Sequence, residues 1–318
     1  MIILNLYRIN KINWHIICCF LDLVQQEMHD RDYLELKSLI EDEFGLSLTT
    51  HSKDSLAKKI QPRLSLLRLK SLREYLDYLI NDPMAKIELH DLPRHLMNTE
   101  SYFLREYAQF ELFVELFRKK KKEKLLRGNT SLSILSAGCS EGQEPYSISM
   151  MLRNNLERLQ WRNVKIFGLD INISALEKAE RGIYSSYSFR NHHNDKIEHY
   201  FQKTTSASCD APRRCYRLKT DIVKSVEYLQ GNILQPLPLK GLLNLDFIFC
   251  RNVLIYMSGK AIDKIAMSLW EALSDDGYLF IGQSESLRKH DDLFIPVSFP
   301  EVTVYRKKSS SSAEPRTL

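Results

Sequence analysis

Beyond Asn129 the hydrophobic pattern changes character: short apolar runs of four to six residues alternate with amphipathic stretches of helical period. Continuous apolar runs of that length, separated by helices, are what a parallel sheet covered on both faces requires, because its strands are buried on two sides. The runs fall at 132–136, 164–169, 226–229, 245–250, 278–282 and 302–306, with helices expected over 145–159, 174–181 and 259–273. The last run comes after Phe299-Pro300 and is expected to close the sheet as an antiparallel strand. The expected class is therefore α/β.

The part before Asn129 reads differently. Tyr33, Leu36, Ile40 and Phe44 recur at helical spacing and stop at Gly45, a natural helix terminator. Further helices are expected over 54–68, 71–81 and 101–118, the third of these ending in Lys119-Lys120-Lys121-Lys122 and Gly128-Asn129, a solvated linker or helix end. The chain of 318 residues thus divides into a small all-α domain over 28–95 and a larger domain over 96–307. Residues 1–27 are an extension of uncertain standing, and the Ser-rich stretch 308–318 has the composition of a disordered tail. The apolar patches of the first 27 residues are interrupted by Arg8, Lys11 and Asp22, so neither a signal peptide nor a membrane span is expected. Six cysteines without zinc spacing point to neither a metal site nor a disulfide framework, and a cytoplasmic location fits best.

The segment carrying most chemistry joins the first expected strand to the helix after it: Ser136-Ala137-Gly138-Cys139-Ser140-Glu141-Gly142-Gln143-Glu144-Pro145. A small-residue turn between strand and helix lets a ligand approach the backbone. No P-loop lysine is present, and Glu141 and Glu144 would repel a polyphosphate. A cationic ligand suits the loop, and S-adenosylmethionine carries both a sulfonium and an α-ammonium. The next strand ends in Asp170, where doubly wound folds hold a ribose diol.

These residues resemble a known family, the CheR chemoreceptor methyltransferases. Ala137-Gly-Cys-Ser-Glu-Gly-Gln-Glu-Pro-Tyr-Ser147 is similar to the family's Ala-Cys-Ser-Thr-Gly-Glu-Glu-Pro-Tyr-Ser signature. Ser101-Tyr-Phe-Leu-Arg-Glu106, Phe249-Cys-Arg-Asn-Val-Leu-Ile-Tyr256 and Gly277-Tyr-Leu-Phe-Ile-Gly-Gln-Ser-Glu-Ser286 agree with three further family blocks in the same order. The resemblance implies a Rossmann-like class I methyltransferase sheet, six parallel strands plus one antiparallel, behind a small all-α N-terminal domain. It implies transfer of a methyl group from S-adenosyl-L-methionine to receptor glutamates, giving methyl esters and S-adenosyl-L-homocysteine. Carried over by position, Thr99, Ser101, Arg105, Gly138, Glu144, Asp170, Asn232, Ile233, Asn252 and Val253 contact the cofactor. Arg105 and Tyr256 stand at the methyl-transfer point.

A carboxylate is ionised at neutral pH, so such a reaction needs alignment and no general base. Lys59 and Arg63, on one face of the second expected helix, are the candidate docking cations for an acidic receptor helix, although Pro62 is expected to kink or restart that helix. The expected partners are cytoplasmic methylation helices of chemoreceptors, with no nucleic acid, no stable membrane insertion and no metal; a monomer is expected. Thr99 and Gln283 replace the Asn and His of many relatives. Residues 202–217 lack the glycines of a receptor-pentapeptide hairpin, which predicts recognition without a pentapeptide. The alternatives are a non-catalytic module binding the cofactor or its demethylated product, and a methyltransferase with another protein or small-molecule substrate.

Overall fold

The computed structural model describes residues 30–48, 52–96, 100–161, 163–190, 192–205, 215–235 and 244–308. They form two compact units, one built from residues up to Ile40 and from 48–89, the other from Glu41–Ser47 and the chain from His90 onward.

In the first unit, α1 (Asp30–Phe44), α2 (Lys53–Leu67), α3 (Leu72–Asn81) and the start of α4 (Ala85–Leu96) bury Leu36, Ile40, Leu56, Ile60, Tyr75 and Leu76. Ser52 and Ser71 cap α2 and α3, each hydroxyl accepting from the amide three residues on at 3.2 Å. Such caps are worth about 1 kcal/mol each. Helix α2 continues through Pro62, and α4 was not anticipated by sequence pattern. Its Pro93 argues against a helix locally. The decisive stabilisation is the burial of Leu92 and Leu96.

The second unit is organised by a seven-stranded sheet in the order β6-β2-β1-β7-β8-β10-β9. The strands are β1 (Leu132–Ala137), β2 (Val164–Asp170), β6 (Val226–Gln230), β7 (Leu245–Cys250), β8 (Leu273–Ile281), β9 (Phe294–Ser298) and β10 (Thr303–Lys307). The pairs of β1 with β2 and β7, of β2 with β6 and of β7 with β8 are parallel, whereas β10 runs antiparallel to both β8 and β9. Six strands therefore share one direction and one opposes them, as expected. The opposing strand does not close the sheet. It is inserted between β8 and β9, and β9, whose Pro296 hides a strand in the sequence, forms the edge. A second sheet, β3 (Ile183–Ser185), β5 (Cys215–Leu218) and β4 (Phe201–Thr204), has the order β3-β5-β4. Cys215 is disulfide-bonded, which the cysteine spacing does not anticipate.

Helices α5 (Tyr107–Leu126), α6 (Gln143–Asn155), α7 (Ile173–Arg181), the single turn α8 (Thr220–Val223) and α9 (Gly259–Ala272) complete the unit in chain order. Helix α5 corrects two expectations. It begins at Tyr107, because Leu104 and Glu106 adopt left-handed backbone conformations (φ 55° and 57°) and hold 103–106 in a turn. It also runs through the lysine tract. Lys120 is 1% exposed and donates to the Asp276 carbonyl at 2.7 Å, and Lys124 Nζ lies 2.7 Å from the buried Asp246 carboxylate. The aliphatic stem of Lys120 packs while its ammonium tip finds an acceptor, so a run that reads as a solvated linker is helical and places one of its four lysines in the core, with Lys119 and Lys122 exposed. Phe113 meets Phe247 edge-on at 5.1 Å, and Phe249 stacks on Phe280 at 4.5 Å.

Candidate functional site

Strand order reverses beside β1: the chain runs outward through β2 to β6 on one side, then returns to lay β7 along the other edge of β1. Crevices at such switch points, beyond the carboxyl ends of the strands, are where open α/β sheets bind ligands. A cavity lies there, walled by the turns after β1, β2, β6 and β7. In the first turn Gly138 has φ +75°, and a Cβ added to it would lie 2.5 Å from Val253 Cγ2. A side chain is therefore excluded by backbone conformation and by the opposing wall. The Gly138 and Cys139 amides donate to the Leu169 carbonyl at 2.8 and 3.0 Å, tying the tips of β1 and β2 together.

Asp170 ends β2 and accepts from the Ser140 amide at 2.7 Å and the Asn172 amide at 2.9 Å. Burial raises its carboxyl above the ordinary range, while these amides pull the other way. Each oxygen keeps a further lone pair for a hydroxyl donor. Asn232 is engaged at both ends of its amide, donating to the Glu43 carbonyl at 3.1 Å and accepting from the Leu234 amide at 2.9 Å. Ile233 beside it supplies an apolar wall.

The charge balance centres on Arg251, whose side chain is 1% exposed. It donates to Glu144 Oε2 at 2.9 Å, and its other terminal nitrogen is 3.2 Å from Glu106 Oε2. Ser136 donates to the second oxygen of Glu144 at 2.7 Å. One guanidinium facing two carboxylates leaves a net charge of about −1 when both are ionised, and a cation would complete the balance. Burial raises the Glu144 carboxyl, opposed chiefly by Arg251.

Arg105 protrudes from the 103–106 turn. The Leu104 amide donates to Ser147 Oγ at 3.0 Å and the Arg105 carbonyl accepts from Arg251 at 2.5 Å. The turn is therefore fixed on both sides of the residue it presents. The Arg105 guanidinium donates to the Glu100 carbonyl at 2.9 Å and lies 5.7 Å from the Tyr102 ring centroid. Tyr256 sits beyond β7 in a short 3-10 turn, and its hydroxyl pKa is raised by burial and lowered by nearby Arg105. Its loop is held by Glu285, which accepts from the amides of Asn252 at 2.8 Å, Gly282 at 2.6 Å and Ile255 at 3.2 Å.

Ser101, Arg105, Gly138, Glu144, Asp170, Asn232, Ile233, Asn252, Val253 and Tyr256 all line this one cavity. Thr99 lies outside the described residues. Lys59 and Arg63 are in the first unit and do not line it. Arg63 is corrected as a docking cation: its Nε donates to Glu88 Oε1 at 2.9 Å, its second nitrogen pairs with Oε2, and the side chains are 16% and 6% exposed. Tyr75 donates to the same carboxylate at 2.6 Å, so this charge neutralises a core acid. Sequence reasoning assigned no role to Glu106, Arg251 and Glu285, although each sits within one of the family-like blocks. Their signal was charge at the end of an apolar run. Among the described residues no cluster of potential ligands could hold a metal, and no helix is long and apolar enough to cross a membrane.

The site suits S-adenosylmethionine on three counts: a net negative charge for its cationic end, an acid with free lone pairs for a diol, and an apolar wall from Leu169, Ile233 and Val253. Comparison with known proteins agrees. Residues 99–303 match the family model described as the SAM-binding domain of CheR methyltransferases, and residues 31–92 match the all-alpha domain of the same family. The chain is 30% identical over 293 residues to chemotaxis protein methyltransferase 2 of Vibrio cholerae, covering 91% of this chain and 96% of that one. It is 30% identical to the chemotaxis protein methyltransferase of Borreliella burgdorferi, covering 81% and 89% of the two chains. It is 29% identical to the probable biofilm formation methyltransferase WspC of Pseudomonas aeruginosa, covering 92% and 65%. The protein is an S-adenosylmethionine-dependent methyltransferase, and its chain belongs to the CheR family.

Proposed function

We propose that the protein methylates glutamate side-chain carboxylates of chemoreceptors, producing glutamyl methyl esters and S-adenosylhomocysteine. The observation that carries this reading is that Arg105 and Tyr256 line the same cavity as Glu144 and Asp170. A cation and a hydroxyl donor beside the cofactor site suit an anionic acceptor. The names of the chemotaxis relatives point to receptors as substrates. The biofilm formation name of the third relative favours a second output, a receptor acting in biofilm formation. A cytoplasmic location accords with such receptors' methylation helices.

Bound S-adenosylmethionine would supply the methyl group, the electron pair of its S–C bond remaining on sulfur. Glu144 would hold its ammonium, Asp170 its ribose hydroxyls, and Ile233 and the Asn232 loop the adenine, with Gly138, Ser101, Asn252 and Val253 completing the enclosure. Arg105 holds the incoming carboxylate through its N–H donors, and Tyr256 orients the reacting oxygen. The residues' part is to align the carboxylate lone pair with that methyl. No proton moves, because the acceptor is already ionised at neutral pH.

Purified protein, methyl-labelled cofactor and a receptor cytoplasmic fragment test this. Base-labile label should appear on glutamate, and Arg105→Ala should lower kcat/KM by about 100-fold, on the scale of a lost charged hydrogen bond to the transition state. Cofactor binding with no label transferred would favour a non-catalytic module. Base-stable label would point to another substrate.

A further inference from the structure

Arg190 stands outside the cavity lining but contacts two residues that belong to it, Glu100 and Tyr102. Its guanidinium carbon lies 4.0 Å from the Tyr187 ring centroid and 5.0 Å from that of Tyr102, the ring that also carries Arg105 at 5.7 Å. Two cations therefore share one aromatic platform. Glu100 connects them: its carboxylate pairs with Arg190 at 3.2 Å, and its backbone carbonyl accepts from Arg105 at 2.9 Å. Glu100 and Tyr102 both line the cavity beside Tyr256.

Stacking on two rings holds the guanidinium in place with little loss of entropy on binding, while its donors stay directed at a carboxylate. Glu100, its acid partner among the described residues, is 44% exposed, so this ion pair is weak and readily exchanged. The two guanidinium carbons lie 5.7 and 5.0 Å from the same ring centroid, so they are at most about 11 Å apart, within the reach of two long acidic side chains projecting from one helix face a turn apart, whose Cβ atoms are about 5–6 Å apart.

We propose that Arg190 is a specificity-determining residue: it receives a second acidic side chain of the substrate, three or four residues from the methylated glutamate on the same helix face, displacing Glu100. This rests on the glutamate-methylation reading above and adds a sequence preference to it. The resting Glu100–Arg190 pair occupies the second cation until an acidic helix arrives, and a substrate with a neutral neighbour leaves that pair in place and gains no contact with Arg190. Exposed acids and cations lose attraction in salt, so the preference should shrink as ionic strength rises.

The test uses the full chain and two helical peptides, each with one acceptor glutamate and, four residues on, either Glu or Gln. Methyl transfer is measured with labelled cofactor, and peptide affinity is measured separately with S-adenosylhomocysteine bound. The native protein should prefer the Glu peptide by about tenfold in both readouts. In Arg190→Gln that preference should fall to near one, mainly through KM, and Glu100→Gln should raise kcat/KM for the Glu peptide. Arg190→Lys, which keeps the charge but loses the stacking, should retain part of the preference. A cooperative thermal transition close to that of the native protein reports that each variant has folded. A preference that persists in Arg190→Gln, or is absent from the native protein in the binding readout, overturns the proposal. If neither peptide is methylated by the native protein, the glutamate-methylation reading fails, while the binding comparison still decides whether Arg190 reads the second acid.

Discussion

Glu144 and Glu106 share one buried cation, Arg251, and the consequence is a site whose charge depends on pH. Burial holds the Glu144 carboxyl above its ordinary value. Between that ordinary value and the raised one, the folded, cofactor-free protein holds more protons than the unfolded chain, so this group's contribution to stability falls as pH rises through the window. The cofactor's ammonium favours the ionised form, so its affinity should change in the opposite sense. Titration calorimetry should find S-adenosylmethionine bound more tightly at pH 7 than at pH 5, and Glu144→Gln should flatten this difference. An α-amino group remains largely protonated across that range, so the change reports the protein. The Glu144 residue was legible in the sequence as a loop acid. Arg251 was not assigned, because its partners are 107 and 146 residues away and only the folded sheet brings them together.

At the scale of elements, the two features most at odds with the sequence pattern are the turn at 103–106 and the helix after it. Phe103 reads as one more apolar residue of a helix. In the structure it meets Tyr184 at 4.8 Å, Phe201 at 5.0 Å and Phe189 at 5.2 Å, and that packing outweighs the cost of two left-handed residues, about 1–3 kcal/mol each. Helix α5 then carries four consecutive lysines, with Lys120 buried and Lys124 paired to the fully buried Asp246. The Ser133 amide also donates to Asp246 at 3.0 Å, joining α5, β1 and β7. Asp246→Ala should therefore destabilise the protein by about 3–5 kcal/mol, since it strands a partly buried ammonium and an amide. Urea unfolding checks this, and a loss below about 1 kcal/mol would show the pair to be surface-like.

At the scale of the whole molecule, the cofactor site belongs entirely to the unit formed by Glu41–Ser47 and the chain from His90 onward. Ligand that binds only the folded state stabilises it by mass action, by about 2.7 kcal/mol at a hundredfold excess over Kd. For a unit of this size the thermal transition should rise by about 5–10 °C. Hydrogen exchange should place the added protection in the turns after β1, β2, β6 and β7, and uniform protection across 52–80 would contradict the assignment of the site to one unit.

The sequence by itself determined the parallel sheet, because strands buried on both faces must be written as continuous apolar runs. It also determined the glycine turn and Asp170, because a backbone that approaches a ligand and an acid at a strand tip are local requirements. β9 escaped it through Pro296, and α4 through Pro93, where burial outweighs propensity. Only the tertiary structure decided what each charge does. Arg63 and Lys59 look alike as basic residues on one helix, yet Arg63 is spent on Glu88 inside the first unit. Arg251 looks like a surface residue after a strand, yet it holds two acids at the cofactor site. A side chain's charge is read from sequence; its partner is set by burial and by contacts between residues far apart in the chain.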